Sequence, residues 1–240
     1  MPPADSDTED TLDLRLPPDF LALPGVPGKG GPATSAGVAA HAAGPPTARG
    51  CALVGRVAEW AGADTPAGAF RLVPAHADRD LALVSGWMND PAVAEFWELA
   101  GEAALTRRHI AAQTFGDGRS VPCLGLLDGR AMSYWEVYRA DLDPLARHYP
   151  ARPQDTGVHL LIGGGADRGR GLGGTLIKAV ADLILQHRPG CTRVVAEPDI
   201  RNTASVAAFL GAGFRLSAEL SLPGKRAALM VRDRALRRVL

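Results

Sequence analysis

The chain has 240 residues, of which 46% are hydrophobic, and it carries 26 basic and 26 acidic side chains. That length is enough for one full-sized domain or two small ones. The zero formal charge excludes an overall electrostatic field that would hold the protein to nucleic acid or to an anionic membrane, so we expect a small-molecule partner. We also expect no membrane span, because no apolar run is long enough to cross a bilayer.

The cysteines and the N-terminus indicate a cellular compartment. Cys51, Cys123 and Cys191 are widely spaced and include no Cys-x-x-Cys pair. This pattern predicts reduced thiols and no metal or redox centre built on cysteine. The first ten residues are acidic and lack the basic and apolar regions of a secretory signal. We therefore expect a cytoplasmic protein, and we expect no metal in its site.

The first 66 residues differ in composition from the rest of the chain. They contain ten of the nineteen prolines, runs of glycine and alanine, and only two aromatic residues, Phe20 and Trp60. Such a segment cannot bury enough apolar surface to offset the conformational entropy that folding removes. The composition predicts a flexible tail over residues 1–66 and a folded domain over residues 67–240, with its first strand at Phe70.

From residue 70 onward, hydrophobic spacing alternates between the period of strands and that of helices. In chain order it predicts a strand at 70–74, helices at 78–89 and 102–115, strands at 121–127 and 131–139, a loop at 141–156, a strand at 157–162, a helix at 171–186, a strand at 193–197, a helix at 203–210, and strands near 214–220 and 226–231. Pro91 is expected to end the first helix. Asp128 and Gly129 predict a two-residue hairpin turn, since both residue types tolerate positive φ angles.

A glycine-rich segment follows the strand at 157–162. It runs Arg168-Gly-Arg-Gly-Leu-Gly-Gly174 and opens the next helix. Glycine has no Cβ, so main-chain N–H groups can approach a phosphate closely, and a helix start adds unpaired N–H groups and partial positive charge. The pattern predicts a diphosphate site, where Arg168 and Arg170 add charge-assisted hydrogen bonds. The alternative interpretation is an ordinary helix start at a tight turn.

Two common phosphate-binding motifs do not match this segment. A P-loop requires Gly-Lys-Ser or Gly-Lys-Thr, which the sequence lacks. A dinucleotide fingerprint opens its domain and is followed by an acidic residue about 20 positions further on. This segment instead lies late in the predicted domain, after a mostly antiparallel region.

Two linked motifs resemble the GNAT superfamily of acetyltransferases. Arg168-x-x-Gly171-x-Gly173 after an apolar strand is similar to the pyrophosphate loop of that superfamily. The strand and helix that follow carry matching residues, namely Asn202, Phe209, Gly213 and Phe214. The resemblance implies an α/β (α+β) fold with a central mixed, mostly antiparallel sheet, flanking helices and splayed central strands.

Further segments resemble the siderophore-biosynthesis branch, whose members acylate N-hydroxylated lysine, ornithine or diamines. These segments are Trp87-Met-Asn-Asp-Pro, Phe96-Trp97, Tyr134-Trp-Glu-x-Tyr138, His159-Leu-Leu-Ile-Gly163 and Glu197-Pro-Asp-x-Arg-Asn202. The resemblance covers residues 70–232 and implies an acyltransferase, monomeric or homodimeric, that moves an acetyl or related acyl group by direct attack. It leaves the N-terminal tail unexplained.

The resemblance also implies roles for individual residues. Acetyl-CoA, or another acyl-CoA, is the implied cosubstrate, and the residues implied to bind it are Leu161, Ile162, Gly163, Arg168, Gly169, Arg170, Gly171, Leu172, Gly173, Gly174 and Asn202. His159 is implied to be the general base, a task that the free pKa of histidine, near ~6.5, suits. Asp199 is implied to orient the substrate or the imidazole. The implied acceptor pocket contains Trp97, Trp135, Glu136 and Tyr138, with Glu136 pairing with a substrate ammonium.

Other interpretations stay open at the level of sequence. His159 also fits a core histidine bonded to backbone, Asp199 fits a turn residue, and the aromatic residues fit a core. An aminoglycoside 6'-N-acetyltransferase is similar in its Trp/Asn-Asp-Pro segment, and a non-catalytic acyl-CoA-binding protein would keep the same fold. The choice among hydroxylysine, hydroxyornithine and hydroxycadaverine is also open.

Overall fold

The computed structural model describes residues 53–236, which form a single sheet with helices on both faces. The strands are β1 (Ala63–Thr65), β2 (Gly68–Pro74), β3 (Ser120–Leu127), β4 (Arg130–Arg139), β5 (Thr156–Ile162), β6 (Arg193–Ala196), β7 (Arg215–Leu222) and β8 (Lys225–Asp233). The helices are α1 (Leu81–Met88), α2 (Pro91–Trp97), α3 (Ala103–Thr114), α4 (Leu172–His187) and α5 (Thr203–Gly211).

The sheet has the order β1-β2-β3-β4-β5-β6-β8-β7. Its neighbouring strands are antiparallel except for the central pair, β5 and β6, which is parallel. That pair is short, because only Thr156 with Val194 and Gly157 with Val195 are in register. Beyond Gly157 the two strands separate. The predicted mixed, mostly antiparallel sheet with splayed central strands is confirmed.

The two faces of β4 and β5 belong to different packing layers. Successive side chains of a strand point to opposite faces. Tyr134 and Leu161 pack in the layer that includes residues of α1, α2 and α3. Trp135 and Val158 pack in the opposite layer, against the buried side of α4. The helices thus cover both faces and leave the separation between β5 and β6 as the opening in the sheet.

Part of the segment predicted as tail contributes to this fold. Val54 and Val57 are buried in the layer that contains α4, and β1 pairs with β2. The folded domain therefore begins before the predicted boundary at residue 67. Two buried valines and one short strand are enough to attach this segment to the sheet, although the first 66 residues as a whole are rich in glycine and proline. The predicted tail residues before residue 53, including Cys51, lie outside the described residues. Cys123 and Cys191 are buried free thiols.

The turn at Pro91 differs from the prediction. α1 does end at Met88, but Pro91 is the first residue of a further helix, α2. The Asp90 carboxylate caps α2 by accepting a hydrogen bond from the Ala92 N–H at 3.0 Å. Proline suits the first helical position because its missing N–H would have no partner there. The Asp-Pro pair therefore starts a helix as well as ending one.

Gly157 provides a stability prediction at the point where the sheet divides. A Cβ at Gly157 would lie 2.1 Å from Cζ of the buried Tyr138 ring. We expect Gly157→Ala to lower the free energy of unfolding by about 1–3 kcal/mol, the usual cost of overpacking. Urea denaturation measures it, with Gly211→Ala as the control, since a Cβ at Gly211 meets nothing within 4 Å. Equal midpoints for the two variants would contradict the prediction.

Candidate active site

The open edge of β5 forms one wall of the site. The Gly163 N–H donates to the Met132 carbonyl of β4 at 2.8 Å. Main-chain groups of successive strand residues point to opposite sides in an antiparallel pair. The alternation therefore directs the N–H groups of Leu160 and Ile162 away from β4 and into the gap that β6 leaves beyond Gly157.

This alternation corrects part of the predicted cosubstrate-binding segment. The implied segment was Leu161, Ile162 and Gly163, but the main-chain groups of Leu161 and the N–H of Gly163 face β4, and the Gly163 carbonyl binds Arg168. Leu160 is instead a residue of β5 whose main-chain groups face the gap. Gly163 has a packing role, since a Cβ there would lie 2.0 Å from the Trp87 ring.

A cavity of about 790 Å³ runs along this edge to the glycine-rich loop. Gly169 and Gly171 have φ angles of +70° and +76°, and a Cβ on either would meet nothing within 4 Å. α4 begins at Leu172 with no side-chain cap, so the N–H groups of its first turn have no helical partner. The loop thus presents main-chain donors and the positive end of a helix to the cavity.

Gly173 and Gly174 line the same cavity, but they also permit close helix packing. A Cβ on Gly173 would contact the Ala208 side chain at 3.4 Å, and one on Gly174 would contact the Ala208 carbonyl at 3.3 Å. These two glycines therefore let α4 approach α5, which forms the opposite side of the cavity.

Arg168 holds the loop in place. Its Nε donates to the Ile162 carbonyl at 2.9 Å and its Nη2 to the Gly163 carbonyl at 2.7 Å. Its guanidinium also binds both carboxylate oxygens of Asp90, at 3.1 and 3.0 Å, and the hydrogen bond from Arg168 lowers the pKa of Asp90. These contacts use four of the five guanidinium N–H groups of Arg168, so most of its hydrogen-bonding capacity serves the protein, and its diphosphate contact stays a prediction. Arg170 is exposed, and its phosphate contact stays a prediction.

Asn202 lies where two cavities meet. Its Oδ1 accepts a hydrogen bond from the Ser205 N–H at 3.0 Å and so caps α5. The second cavity, of about 300 Å³, shares the walls formed by Phe96, Trp97, Leu160 and Ser205 with the first. One continuous surface therefore leads from the glycine-rich loop past α2 to His159.

His159 lies in the second cavity between two carboxylates. Its Nδ1 is 2.9 Å from Glu136 Oε2, and its Nε2 is 2.6 Å from Glu197 Oε1. Glu136 is the residue opposite His159 on β4, whereas Glu197 directly follows β6 across the gap. The Tyr138 hydroxyl donates to the second Glu197 oxygen at 2.9 Å. His159 thus connects the two separating strands.

The charge on His159 differs from the expected one. Burial lowers the pKa of His159, but the Glu197 and Glu136 carboxylates outweigh burial and raise it to about 10. A pKa of about 10 means that the ring carries a proton at neutral pH, unlike a free imidazole, whose pKa is near ~6.5. The pKa values of the two carboxyl groups are lowered, although burial alone would raise them. Hydrogen bonds from His109 and His159 lower the pKa of Glu136. The charge of His159 lowers the pKa of Glu197 to about 2.

Glu136 cannot serve as the predicted acceptor of a substrate ammonium. Its carboxylate is buried and already hydrogen-bonded to His109 and His159, to Gln113 at 2.6 Å and to the Tyr134 hydroxyl at 3.1 Å. A carboxylate with this many protein donors has little capacity for another. Glu136 instead orients the His159 ring through its contact with Nδ1.

Asp199 is not the partner of the imidazole. Its carboxylate accepts hydrogen bonds from the Arg201 N–H at 2.8 Å and from Arg201 Nη2 at 2.7 Å. The prediction that Asp199 orients His159 is wrong, since Glu136 and Glu197 occupy both ring nitrogens. Asp199 does line the cavity that contains His159, so its role in orienting a substrate stays a prediction. The turn interpretation also holds, because the Asn202 N–H donates to the Asp199 carbonyl at 2.9 Å.

The predicted aromatic residues fall into two groups. Trp97 lines the cavity, with its ring edge-on to His159 at 6.2 Å between centroids, and the Tyr138 ring lies 4.7 Å from His159. Trp135 is fully buried on the opposite face of β4, against Phe70. The substrate-binding role predicted for Trp135 is therefore wrong, because strand alternation turns it away from His159.

Over residues 53–236, the structure contains no helix that is both long and apolar enough to cross a membrane. Among the same residues, no group of three or more His, Cys, Asp or Glu side chains is arranged to hold a metal ion.

Comparisons with known proteins identify the family. The model of the acetyltransferase (GNAT) domain matches residues 76–222, which is more than half of the chain. The chain belongs to the GNAT acetyltransferase family. A crystal structure of the aminoglycoside acetyltransferase AAC(6')-Ib with coenzyme A has the same fold, with a TM-score of 0.62 at 23% identity over 70% of this chain and 98% of that one. At that identity the likeness concerns the fold alone.

Curated relatives confirm the predicted branch. The lysine N-acyltransferase MbtK of Mycobacterium sp. (strain MCS) is 35% identical over 160 residues, 67% of this chain and 65% of that protein. The N(6)-hydroxylysine O-acetyltransferase of Escherichia coli is 33% identical over 148 residues, 62% of this chain and 47% of that protein. The match thus spans about two thirds of the first relative and about half of the second.

Several residues of the site have no role in the sequence-based prediction. They are Glu197, His109, Gln113 and Lys225. Glu197 belongs to the Glu-Pro-Asp segment that resembles the family, and its place after a strand adjacent to that of His159 is the signal that could have indicated it. His109 and Gln113 are four residues apart on α3, so they share a helix face, but only the tertiary structure shows that this face covers Glu136.

The protonation of His159 can be measured directly. We expect the ¹⁵N shifts of the His159 ring to be those of an imidazolium at pH 8, because two carboxylates stabilise its charge. Glu197→Gln should move the titration toward lower pH, whereas Glu219→Gln, on exposed β7, should leave it unchanged. A wild-type midpoint near ~6.5 would contradict the assignment. The pKa of His159 is raised in the folded state, so its charged contacts stabilise the protein fully below the unfolded pKa of ~6.5. This stabilisation is lost as the pH rises through the folded pKa of about 10.

Proposed function

We propose that this protein transfers an acyl group from acyl-CoA to the hydroxylamine nitrogen of an N-hydroxylated lysine, ornithine or diamine in siderophore biosynthesis. The observation that carries the proposal is the open edge of β5, which leads from the glycine-rich loop to the charged cluster around His159. Membership in the acetyltransferase family supports acyl transfer, and the names of the relatives support a lysine or hydroxylysine type of acceptor.

Acyl-CoA fits the long cavity in three places. The diphosphate would bind the main-chain N–H groups at Gly169, Gly171 and the first turn of α4, where no Cβ obstructs its approach. The amides of the pantetheine arm would pair with the main chain of Leu160 and with the N–H of Ile162, in the place of a missing strand. The thioester would then lie where the two cavities join.

The proposed reaction is a direct transfer. The hydroxylamine nitrogen attacks the thioester carbonyl carbon, a C–N bond forms and the C–S bond breaks. The nitrogen loses one proton and the sulfur of CoA gains one, so the products are a hydroxamate and the free CoA thiol. An N-hydroxylated amine is less basic than an alkylamine, so its lone pair is available at neutral pH without a strong base.

His159 and Glu197 would move the proton between nitrogen and sulfur. A protonated His159 has no free ring nitrogen to act as the general base implied by the resemblance, so we assign it as the donor to the sulfur of CoA, through an Nε2–H that would leave Glu197 as charge develops on the sulfur. Its pKa of about 10 is close to the ~8.5 of a thiol, which suits such a transfer. The Glu197 carboxylate would accept the proton that the nitrogen loses after attack and return it to His159 across their 2.6 Å contact.

Thiol release from acetyl-CoA tests the proposal. We expect turnover with N6-hydroxylysine and little with kanamycin. His159→Ala should lower turnover by about 10²-fold or more, within the range for proton-transfer groups. It should spare acetyl-CoA affinity, because His159 lies beyond the diphosphate loop.

Exposed His148 provides the matched control, since His148→Ala should retain wild-type turnover. Near-normal turnover by His159→Ala would refute its assigned role. Binding of acetyl-CoA without thiol release for any hydroxylated amine would instead favour a non-catalytic binding protein, and preferred turnover of kanamycin would favour the aminoglycoside activity.

A further inference from the structure

The chemical class of the acceptor can be inferred from the charged groups that line the cavity around His159. This inference rests on the proposed function and deepens it. Three carboxylates and one lysine contribute to the lining, namely Glu136, Glu197, Asp199 and Lys225. An acceptor that carries a second charged group must place it against one of these residues or in solvent.

The carboxylates are already paired with protein donors. Glu136 is bonded to His109, Gln113, Tyr134 and His159. Glu197 is bonded to His159 and to the Tyr138 hydroxyl. Asp199 holds the guanidinium and the main-chain N–H of Arg201. All three carboxylates therefore have protein donors already, and the Lys225 ammonium lies 3.8 Å from Glu197, so a second ammonium there would face a like charge.

Lys225 differs from these groups because it has unused donors. Its ammonium carries three hydrogens. One is donated to the Glu197 carbonyl at 2.8 Å, while the nearest carboxylate oxygen, Glu197 Oε1, lies 3.8 Å away, beyond hydrogen-bond distance. The side chain is 34% exposed and lines the cavity. Two of its hydrogens thus remain for an anionic ligand group.

Main-chain hydrogen bonds hold the backbone at Lys225 beside the segment that follows Glu197. Lys225 is the first residue of β8, directly after the turn at Gly224, whose φ is +81°. The Ala228 N–H donates to the Pro198 carbonyl, and the Ile200 N–H donates to the Arg226 carbonyl, both at 2.9 Å. These hydrogen bonds attach the start of β8 to the segment that follows Glu197.

We propose that Lys225 binds the α-carboxylate of an amino-acid acceptor, so that the enzyme takes an N-hydroxylated amino acid such as N6-hydroxylysine in preference to the corresponding hydroxylated diamine. A carboxylate is the group that the two remaining ammonium hydrogens of Lys225 suit, and a charge-assisted contact there would orient the chain with its hydroxylamine toward His159. The hydroxylated diamine lacks this contact.

N6-hydroxylysine and N-hydroxycadaverine test the inference, because they differ only in the carboxylate. For the wild-type protein we expect kcat/KM to be at least tenfold higher with N6-hydroxylysine. Lys225→Met should reduce that value at least tenfold, mainly through KM, and should change the value for N-hydroxycadaverine less than threefold. Lys225→Arg should restore part of the preference, since it keeps the charge.

Arg226→Met is the matched control, because Arg226 is the next residue, is exposed and pairs with Glu219 on β7. It should leave both acceptors unaffected, and acetyl-CoA calorimetry on each variant verifies folding. An equal loss with both acceptors in Lys225→Met would overturn the inference and make Lys225 a support for Glu197. Wild-type preference for N-hydroxycadaverine would overturn it too. Absence of thiol release with both acceptors would instead refute the proposed function itself.

Discussion

The site depends on the point at which β5 and β6 separate. The two strands share two residue pairs, and beyond Gly157 no strand of the described sheet takes the place of β6 beside β5. The main-chain groups of Leu160 and the N–H of Ile162 thereby lack a strand partner, which costs free energy unless a ligand or water takes its place. The cavity along β5 exists because this pairing stops, and the hydrogen bond between His159 and Glu197 bridges the strands close to where it stops.

The charged cluster at that position is stable because its members compensate one another. A buried carboxylate is costly without donors, and Glu136 is bonded to four side chains and Glu197 to two. His159 supplies one donor to each carboxylate, which is why its proton is held so firmly. The same arrangement turns a residue expected to accept a proton into one that already carries it. The chemistry assigned to the site changes accordingly, although its location is the one that the sequence predicts.

Local sequence patterns predicted most of the helices and strands but few of the side-chain contacts in the site. The Asp-Gly hairpin, the strand before the glycine-rich loop and the amphipathic helix after it follow from spacing within ten or so residues, and the structure contains all three. The short helix α2 was missed because its signal, Asp-Pro, is also a helix-ending signal. The core positions of Val54 and Val57 were missed because the prediction rested on the average composition of residues 1–66. That average is dominated by polar residues, glycine and proline, and it hides two apolar side chains.

The site required tertiary information that spacing does not contain. Arg168 binds Asp90, 78 positions earlier in the chain, so most of the donors that were expected to face a diphosphate bind the protein instead. Asp199 and Glu197 are two residues apart at the end of the same strand, yet only Glu197 binds the imidazole. Which of two nearby carboxylates faces His159 depends on how β6 leaves the sheet, and no local pattern encodes that path.

Amide hydrogen exchange along β5 tests the central claim most directly. We expect the N–H groups of Leu160 and Ile162 to exchange quickly in the protein alone and slowly with saturating acetyl-CoA, because the thioester arm supplies their missing partners. The N–H groups of Leu161 and Gly163, which face β4, should be protected in both states. Fast exchange at Leu160 and Ile162 in the presence of bound acetyl-CoA would contradict the account.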